Sequence, residues 1–124
     1  MTTTLIVDDD PDMRFLIRLT IEMHNDGLTI VGEAADGEEA LETWQHLVPP
    51  VPDVVVLDNR MPKLTGIEVA ERMIEQRPEQ VVVLYSAFMD KDLRAQADSV
   101  GIAACLTKAE LEQLPTTIKE LAAR

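Results

Sequence analysis

The stretch Val54-Val55-Val56-Leu57-Asp58 decides the fold of this chain, because it is an unbroken apolar run that ends in a carboxylate. A strand that is apolar at every position leaves no face for water, so other elements must cover it on both sides. Strands of this kind are typical of parallel sheets with a layer of helices on each face. The run therefore predicts a buried parallel strand with Asp58 at its carboxyl end.

Four more apolar runs of strand length flank that stretch, and amphipathic segments separate them. These runs cover residues 5–7, 28–31, 81–85 and 102–106. Five successive β-α units predict one parallel sheet with right-handed crossovers. The sequence shows no internal repeat, linker or low-complexity tract, so we expect a single α/β domain over residues 1–124, with a stiff proline-rich loop at residues 48–52.

Five helices are expected from apolar spacing and from end signals. The first begins at Pro11, and one helical stripe carries its apolar residues Phe15, Leu16, Leu19 and Met23. The start signals of the next three helices are Asp36, Thr65 and Asp90. The fourth helix has a thin apolar face and should be the least firmly packed. The fifth should begin between Glu112 and Pro115, because proline is tolerated only in a first turn.

The composition is that of an acidic globular protein, with 124 residues, a formal net charge of -12 and 46% hydrophobic residues. An acidic surface repels nucleic-acid phosphates, so no direct nucleic-acid binding is expected. No apolar run has the length of a membrane span, and the N-terminus lacks a signal-peptide pattern. Cys105 is the single cysteine and cannot form an internal disulfide. We therefore expect a cytoplasmic protein that makes no membrane contact.

Polar residues stand where the predicted strands end. They are Asp8, Asp9 and Asp10 after the first strand, Asp58 after the third, Ser86 after the fourth and Lys108 after the fifth. Ligands of open parallel sheets bind outside the carboxyl ends of the strands, where the strand order reverses. If the strand order is 2-1-3-4-5, the first and third strands flank that point, and Asp8, Asp9 and Asp58 share one small site.

Such a group of carboxylates needs a compensating charge, because neighbouring carboxylates raise one another's pKa. Mg²⁺ suits one or two carboxylates together with waters and a phosphate. A fixed cation at Lys108 and a hydroxyl donor at Ser86 would complete a pocket suited to a phosphoryl group on an aspartate. Asp10 is assigned only to capping the helix that follows it.

The whole chain resembles the receiver domain of response regulators from two-component signalling. The matching segments are LIVDDDP (5–11), AADGEEAL (34–41), VVLDNRMPKLTGIE (55–68), VLYSA (83–87) and CLTK (105–108). Each segment alone is a weak signal, whereas all five in this order and spacing are highly specific. The resemblance implies a doubly wound (βα)5 flavodoxin-like fold, with a five-stranded parallel sheet in the order 2-1-3-4-5.

Carried over by position, the resemblance implies that Asp58 is the phosphoacceptor and that Mg²⁺ is the cofactor. Asp9 would bind the ion directly, and Asp8 would act largely through water. The backbone carbonyl of Arg60 would complete the protein ligands of the metal.

The implied function is a signalling switch rather than an enzyme. The Ser86 hydroxyl would turn towards the phosphoryl group, and Lys108 would pair with it. A sensor histidine kinase or a phosphotransfer protein would donate the phosphoryl group. A surface near residues 87–108 would then change for a downstream effector or a fused output domain. The sequence is compatible with a stand-alone regulator and with the first domain of a longer protein.

Two alternatives stay open. One is a degenerate receiver that serves as a fixed interaction surface without phosphorylation. Cys105, Ala109 and Asn59 keep it open, since the family usually has an aromatic residue, a proline and an apolar residue there. The other is a Mg²⁺-dependent aspartyl phosphohydrolase. That class typically carries a second aspartate two residues after its nucleophile, where this chain has Arg60.

Overall fold

The computed structural model describes residues 2–24, 27–47 and 51–123 of the chain. Its parallel strands are β1 (Thr2–Val7), β2 (Leu28–Ala34), β3 (Val54–Asp58), β4 (Val81–Ser86) and β5 (Ala104–Thr107). The strand order is β2-β1-β3-β4-β5, which confirms the expected doubly wound α/β sheet. The proline-rich loop expected at residues 48–52 lies mostly outside the described residues.

Two strand starts differ from the predicted ones, because local hydrogen bonds lengthen one strand and shorten the other. β1 begins at Thr2. The Thr3 amide donates a hydrogen bond to the Asp53 carboxylate, and the Asp53 amide donates one to the Thr3 hydroxyl. Each donor–acceptor distance is 2.9 Å. β5 begins only at Ala104, because the amide of Ile102 donates to the carbonyl of Ala97 in the preceding helix.

The helices are α1 (Pro11–His24), α2 (Gly37–His46), α3 (Gly66–Gln76), α4 (Lys91–Val100) and α5 (Leu114–Ala122). The predicted start signals are confirmed, because the side chains of Asp36, Thr65 and Asp90 each accept a hydrogen bond from a backbone amide of the first turn. Gly101 ends α4 with a φ of 93°, a conformation that glycine adopts at little steric cost.

A 3-10 segment over Lys108–Gln113 precedes α5, and the apolar pattern does not predict it. The Glu110 carboxylate stabilises its start by accepting hydrogen bonds from the Thr107 amide at 2.9 Å and the Thr107 hydroxyl at 3.0 Å. α5 then begins at Leu114 with Pro115 in its first turn, within the predicted interval.

Alternate strand residues point into two separate cores on opposite faces of the sheet. The first core lies between the sheet and α2, α3 and α4, and its strand residues include Leu5, Val7, Val55, Leu57 and Leu84. The second core lies between the sheet and α1 and α5, and its strand residues include Ile6, Val54, Val56, Val83 and Tyr85. The two-residue alternation also determines the side of the sheet on which each residue beyond a strand end lies.

The predicted packing face of α1 is wrong. The stripe of Phe15, Leu16, Leu19 and Met23, called the α1 stripe below, is exposed, and the exposed fraction reaches 60% at Phe15 and 82% at Met23. Ile17 and Ile21 are buried instead and belong to the second core together with residues of α5. Apolar residues occupy two sides of this helix, so both sets satisfy helical spacing. Packing against the sheet and α5 selects the isoleucines.

The fourth helix is thinly packed, as predicted, since Ala97 is its one buried residue. Within the described parts of the chain, none of the helices combines the length and the apolar character needed to cross a bilayer.

Candidate functional site

The carboxyl ends of β1, β3 and β4 bring the predicted site residues to one edge of the sheet. Strand register pairs Val7 with Leu57 and Asp58 with Tyr85. β1 is flanked by β2 on one side and β3 on the other, so the strand order reverses at this point. Asp8 and Asp58 therefore follow directly after paired residues of adjacent strands.

Three of the predicted carboxylates form one acidic cluster. Asp8, Asp9 and Asp58 each offer a carboxylate oxygen, and these oxygens all lie within 4.8 Å of one another. Asp8 and Asp58 are buried, whereas Asp9 is exposed. Oxygen ligands at this spacing suit a hard divalent cation such as Mg²⁺.

Asp58 has an unusual protonation equilibrium in this cluster. Burial raises the pKa of its carboxyl to about 7, the Asp8 carboxylate adds to the rise, and the Lys108 ammonium opposes it. Without a metal ion in the cluster, the carboxyl therefore keeps its proton up to near-neutral pH. A bound cation would replace that proton, because it stabilises the ionised form.

Lys108 brings a positive charge to the same place. Its Nζ lies 3.8 Å from Asp8 Oδ2 and 3.7 Å from Asp58 Oδ2. Both distances exceed that of a good N–H···O hydrogen bond. The ammonium is therefore shared between the two carboxylates and committed to neither.

Asp58 faces a cleft of about 270 Å³, whose lining residues are Asp58, Arg60, Ser86, Ala87, Phe88 and Lys108. Ser86 is buried, and its hydroxyl accepts a hydrogen bond from the Phe88 amide over 3.3 Å. The Arg60 amide donates to Asp58 Oδ1 over 3.4 Å, which keeps that backbone segment beside the carboxylate. The metal-binding role of the Arg60 carbonyl stays a prediction.

Asp10 lies outside the acidic cluster and caps α1, as expected. Its carboxylate accepts a hydrogen bond from the Asp12 amide over 3.0 Å, in the geometry of a helix N-cap. Of the three successive aspartates, Asp8 and Asp9 therefore belong to the acidic cluster, and Asp10 caps α1.

Sequence reasoning missed Tyr85, whose buried hydroxyl donates a hydrogen bond to Asp8 Oδ2. Burial and this hydrogen bond raise the pKa of Tyr85 well above its ordinary value, so the hydroxyl stays a donor. A signal was present, because Tyr85 is the single tyrosine and directly precedes Ser86 at the end of an aliphatic strand. Two-residue alternation from Val83 places it on the sheet face of the second core.

Sequence reasoning also missed Arg14, which anchors the loop between β1 and α1. Its guanidinium donates to the carbonyl oxygen of Asp8 over 2.6 Å and pairs with Glu33 of β2 over 3.4 Å. Glu33 also pairs with Arg18. The acidic loop is thereby tied to the neighbouring strand as well as to its own helix.

The three residues that depart from the family pattern have different surroundings. The Asn59 Oδ1 atom is buried and has no hydrogen-bond partner among the described residues. Cys105 packs half-buried against the first core, and burial raises the pKa of its thiol. Ala109 is exposed within the 3-10 segment.

Comparison with known proteins agrees with this architecture. A profile of the response regulator receiver domain matches residues 4–119. The transcriptional regulatory protein PdtaR of Mycobacterium tuberculosis is 37% identical over 106 residues, which are 84% of this chain and 48% of that protein. The chain spans between 23% and 48% of the length of curated relatives that it matches.

Two solved structures show the same fold at low identity. The response regulator domain of Thermotoga maritima CheB superposes with a TM-score of 0.85 at 25% identity, covering 100% of this chain and 98% of that chain. The CheX-CheY-BeF3-Mg complex from Borrelia burgdorferi gives a TM-score of 0.78 at 28% identity, covering 95% of this chain and 89% of that chain. Because the family profile extends over almost all of the sequence and the fold agrees with it, this chain belongs to the receiver domain family of two-component response regulators.

Proposed function

We propose that this chain is a phosphorylation-controlled switch in which Asp58 accepts a phosphoryl group in a Mg²⁺-dependent reaction. The observation that carries the proposal is the setting of Asp58. This carboxylate faces a cleft of about 270 Å³ and lies beside two further carboxylates and one ammonium. A phosphoryl group on Asp58 would have space, a cation site and a fixed positive charge within reach.

The donor set fits Mg²⁺. Asp9, Asp58 and the Arg60 carbonyl would hold the ion, and both oxygens of Asp8 already accept hydrogen bonds from the protein, so Asp8 would act through water. The raised pKa of Asp58 supports this assignment, because burial and the Asp8 carboxylate outweigh the Lys108 ammonium, and a bound Mg²⁺ would stabilise the ionised form further. When bound, Mg²⁺ supplies charge neutralisation for the carboxylates and for the phosphoryl oxygens.

The proposed chemistry is nucleophilic transfer. A carboxylate oxygen of Asp58 attacks the phosphorus of a phosphohistidine, the P–N bond breaks, and the imidazole leaves with the electron pair. Lys108 and the Ser86 hydroxyl then donate to oxygens of the transferred group. Later attack of water on the phosphorus breaks the acyl-phosphate P–O bond, restores the Asp58 carboxylate and releases inorganic phosphate.

In this proposal the chain is not a turnover enzyme, and its only hydrolysis is slow self-dephosphorylation. Arg60 stands where aspartyl phosphohydrolases carry their acid/base aspartate. The chain therefore lacks the carboxyl group that acts as acid and base at this position in that class.

We propose that the α1 stripe receives the phosphodonor, a sensor histidine kinase or a phosphotransfer protein. α1 starts at Pro11, immediately after the acidic loop, so the stripe leads away from the phosphoacceptor along the surface. A donor must place its phosphohistidine at Asp58, and exposed apolar side chains beside that point offer contact area. The cytoplasmic location expected from the sequence stays a prediction.

We place the output surface near residues 87–108. Phe88 is 71% exposed at the mouth of the cleft. A groove of about 430 Å³ lies between α4 and β5, lined in part by Arg94, Asp98, Ile102 and Cys105. A downstream effector or output domain that contacts this surface would read the state of the neighbouring cleft.

The decisive experiment is intact-mass measurement after incubation with Mg²⁺ and acetyl phosphate. The wild-type protein should gain the mass of one phosphoryl group, and Asp58→Asn should gain none. Asp10→Asn is the matched control, because Asp10 lies outside the cluster and asparagine is an equally good N-cap. A wild-type protein that stays unmodified would favour the fixed interaction surface instead.

A further inference from the structure

The Tyr85 hydroxyl is committed to the acidic cluster. Tyr85 is buried in the second core, and its hydroxyl donates to Asp8 Oδ2. The carbonyl oxygen of Val7 is a second acceptor, 3.5 Å from the hydroxyl. The ring itself is packed as a core residue, so the phenol oxygen is the part of this side chain that bears on the site.

Asp8 needs that donor because its carboxylate is fully buried. Oδ1 accepts from the Asp10 amide over 2.8 Å, and Oδ2 accepts from Tyr85. A buried carboxylate that loses a donor must find another, since leaving it unpaired is costly. Among the described residues, the cationic side chain that pairs with this carboxylate is Lys108, whose Nζ lies 3.8 Å from the same Oδ2.

The Lys108 ammonium lies between the carboxylates of Asp8 and Asp58. Its Nζ also lies 3.7 Å from Asp58 Oδ2, and it sits 5.6 Å from the centroid of the Tyr85 ring. A small movement would bring the ammonium into hydrogen-bond contact with either carboxylate. Whatever satisfies Asp8 therefore decides whether Lys108 remains available to Asp58.

We propose that Tyr85 is a positioning residue: its hydroxyl satisfies Asp8 and so leaves Lys108 free to pair with a phosphoryl group on Asp58. The phosphoryl part of this inference rests on the proposed function. The placement of Lys108 in the unmodified protein does not, and it can be tested separately.

The first test is the crystal structure of the Tyr85→Phe protein without metal. This substitution keeps the ring in the core and removes the hydroxyl alone. Lys108 Nζ should move to about 3 Å from Asp8 Oδ2 and form a direct hydrogen bond. An ammonium that keeps its wild-type place between Asp8 and Asp58 would overturn the inference, whether or not Asp58 is phosphorylated.

The second test is the affinity for beryllofluoride, a phosphoryl mimic, measured by calorimetry at saturating Mg²⁺. Tyr85→Phe should weaken it about three- to tenfold, the effect of one hydrogen bond. Mg²⁺ affinity, measured alone, should change less. Equal losses for both ligands would indicate general damage to the site and contradict the inference, as would an unchanged beryllofluoride affinity.

Two further variants distinguish an effect that Tyr85 exerts through Asp8 from a general effect of removing a buried hydroxyl. Thr4→Val also removes a buried hydroxyl, one that has no hydrogen-bond partner among the described residues, and it should leave both affinities unchanged. In Asp8→Asn, the added Tyr85→Phe change should have little further effect, because Tyr85 acts through Asp8. If wild-type protein fails to bind beryllofluoride, the proposed function fails, while the position of Lys108 still tests the role of Tyr85.

Discussion

Trp44 Nε1 donates a hydrogen bond to Gln80 Oε1 over 2.8 Å, and both side chains are buried. The Gln80 amide nitrogen in turn donates to the carbonyl oxygens of Pro52 and Val81, each over 3.1 Å. One buried amide thereby joins α2, the segment before β3 and the start of β4. This link lies at the amino ends of β3 and β4, whereas the acidic cluster lies at the carboxyl ends of the strands. It therefore bears on the stability of the fold and not on the chemistry of the site.

Gln80→Met should destabilise the protein by about 1 to 3 kcal/mol, because the Trp44 indole and the Pro52 carbonyl lose their partner in a buried place. Urea unfolding followed by circular dichroism measures the change. Gln76→Met, at the exposed end of α3, is the matched control and should change the free energy of unfolding by less than about 0.5 kcal/mol. Equal effects of the two substitutions would refute the role assigned to Gln80.

Asp58→Asn should stabilise the metal-free protein at alkaline pH. The pKa of Asp58 is about 7 in the folded state against an ordinary value of 3.8. The folded state therefore holds the proton more tightly, and wild-type stability falls as the pH rises from about 4 to about 7. Asparagine carries no charge, so the advantage of the variant should grow over that interval and level off above pH 7.

The expected advantage at pH 8 is on the order of 1 to 2 kcal/mol, because a pKa unit corresponds to about 1.36 kcal/mol and solvent at the cleft screens part of the repulsion. Thermal unfolding in EDTA at several pH values measures it, with Asp10→Asn as the control. Added Mg²⁺ should stabilise wild type at pH 8 and stabilise Asp58→Asn much less. If the variant is no more stable than wild type above pH 7, ionisation of Asp58 does not destabilise the folded protein.

The sequence predicted the sheet and the acidic cluster because their signals are local. An apolar run that ends in Asp58, read with the runs that end before Asp8 and Ser86, determines which edge of the sheet carries the chemistry. Tyr85 could have been placed by the same alternation, which sets it on the sheet side of the second core. Its partner could not, because a hydrogen bond depends on side-chain positions that no spacing rule contains.

The packing face of α1 shows what helical periodicity alone does not predict. Ile17 and Ile21 and the α1 stripe are both helical patterns, and the choice between them is made by α5, which lies about a hundred residues further along the chain. The error is informative, because the stripe that the core leaves exposed is the surface to which we assign the phosphodonor.

Phe15→Glu should slow phosphotransfer from a protein donor by about tenfold while leaving phosphorylation by acetyl phosphate unchanged. Phe15 lies on the exposed stripe, in the part of α1 closest to the acidic loop, and a charge there would have to be desolvated on docking. The donor would be a histidine kinase that phosphorylates the wild-type chain in a transfer screen. Gln45→Glu adds the same charge at an exposed position of α2 and should leave both reaction rates unchanged.

If Phe15→Glu slows both reactions equally, the substitution damages the phosphoacceptor site itself. If it slows neither, the donor docks on another surface. Only a selective loss with the protein donor supports the place proposed for the α1 stripe.

Phosphorylation should raise the mobility of residues 87–100. The Ser86 hydroxyl accepts from the Phe88 amide over 3.3 Å, and a movement of this oxygen towards Asp58 would lengthen that contact. The loop leads into α4, which Asp90 caps through the Leu93 amide at 2.8 Å and which has a single buried residue, Ala97. Few apolar contacts oppose a shift of such a helix.

Amide hydrogen exchange, compared between protein with Mg²⁺ alone and protein with Mg²⁺ and beryllofluoride, measures this change. Exchange in residues 87–100 should become faster by a few-fold, whereas α3, with its capping box and its four buried residues, should serve as the internal control and stay the same. Ser86→Ala should abolish the difference, because it removes the oxygen that would move. Cys105 is too small to fill the space that an aromatic side chain would take, so the loop and α4 must carry the response. Identical exchange in residues 87–100, together with a response on α1 or α3, would show that the signal leaves the site by another path.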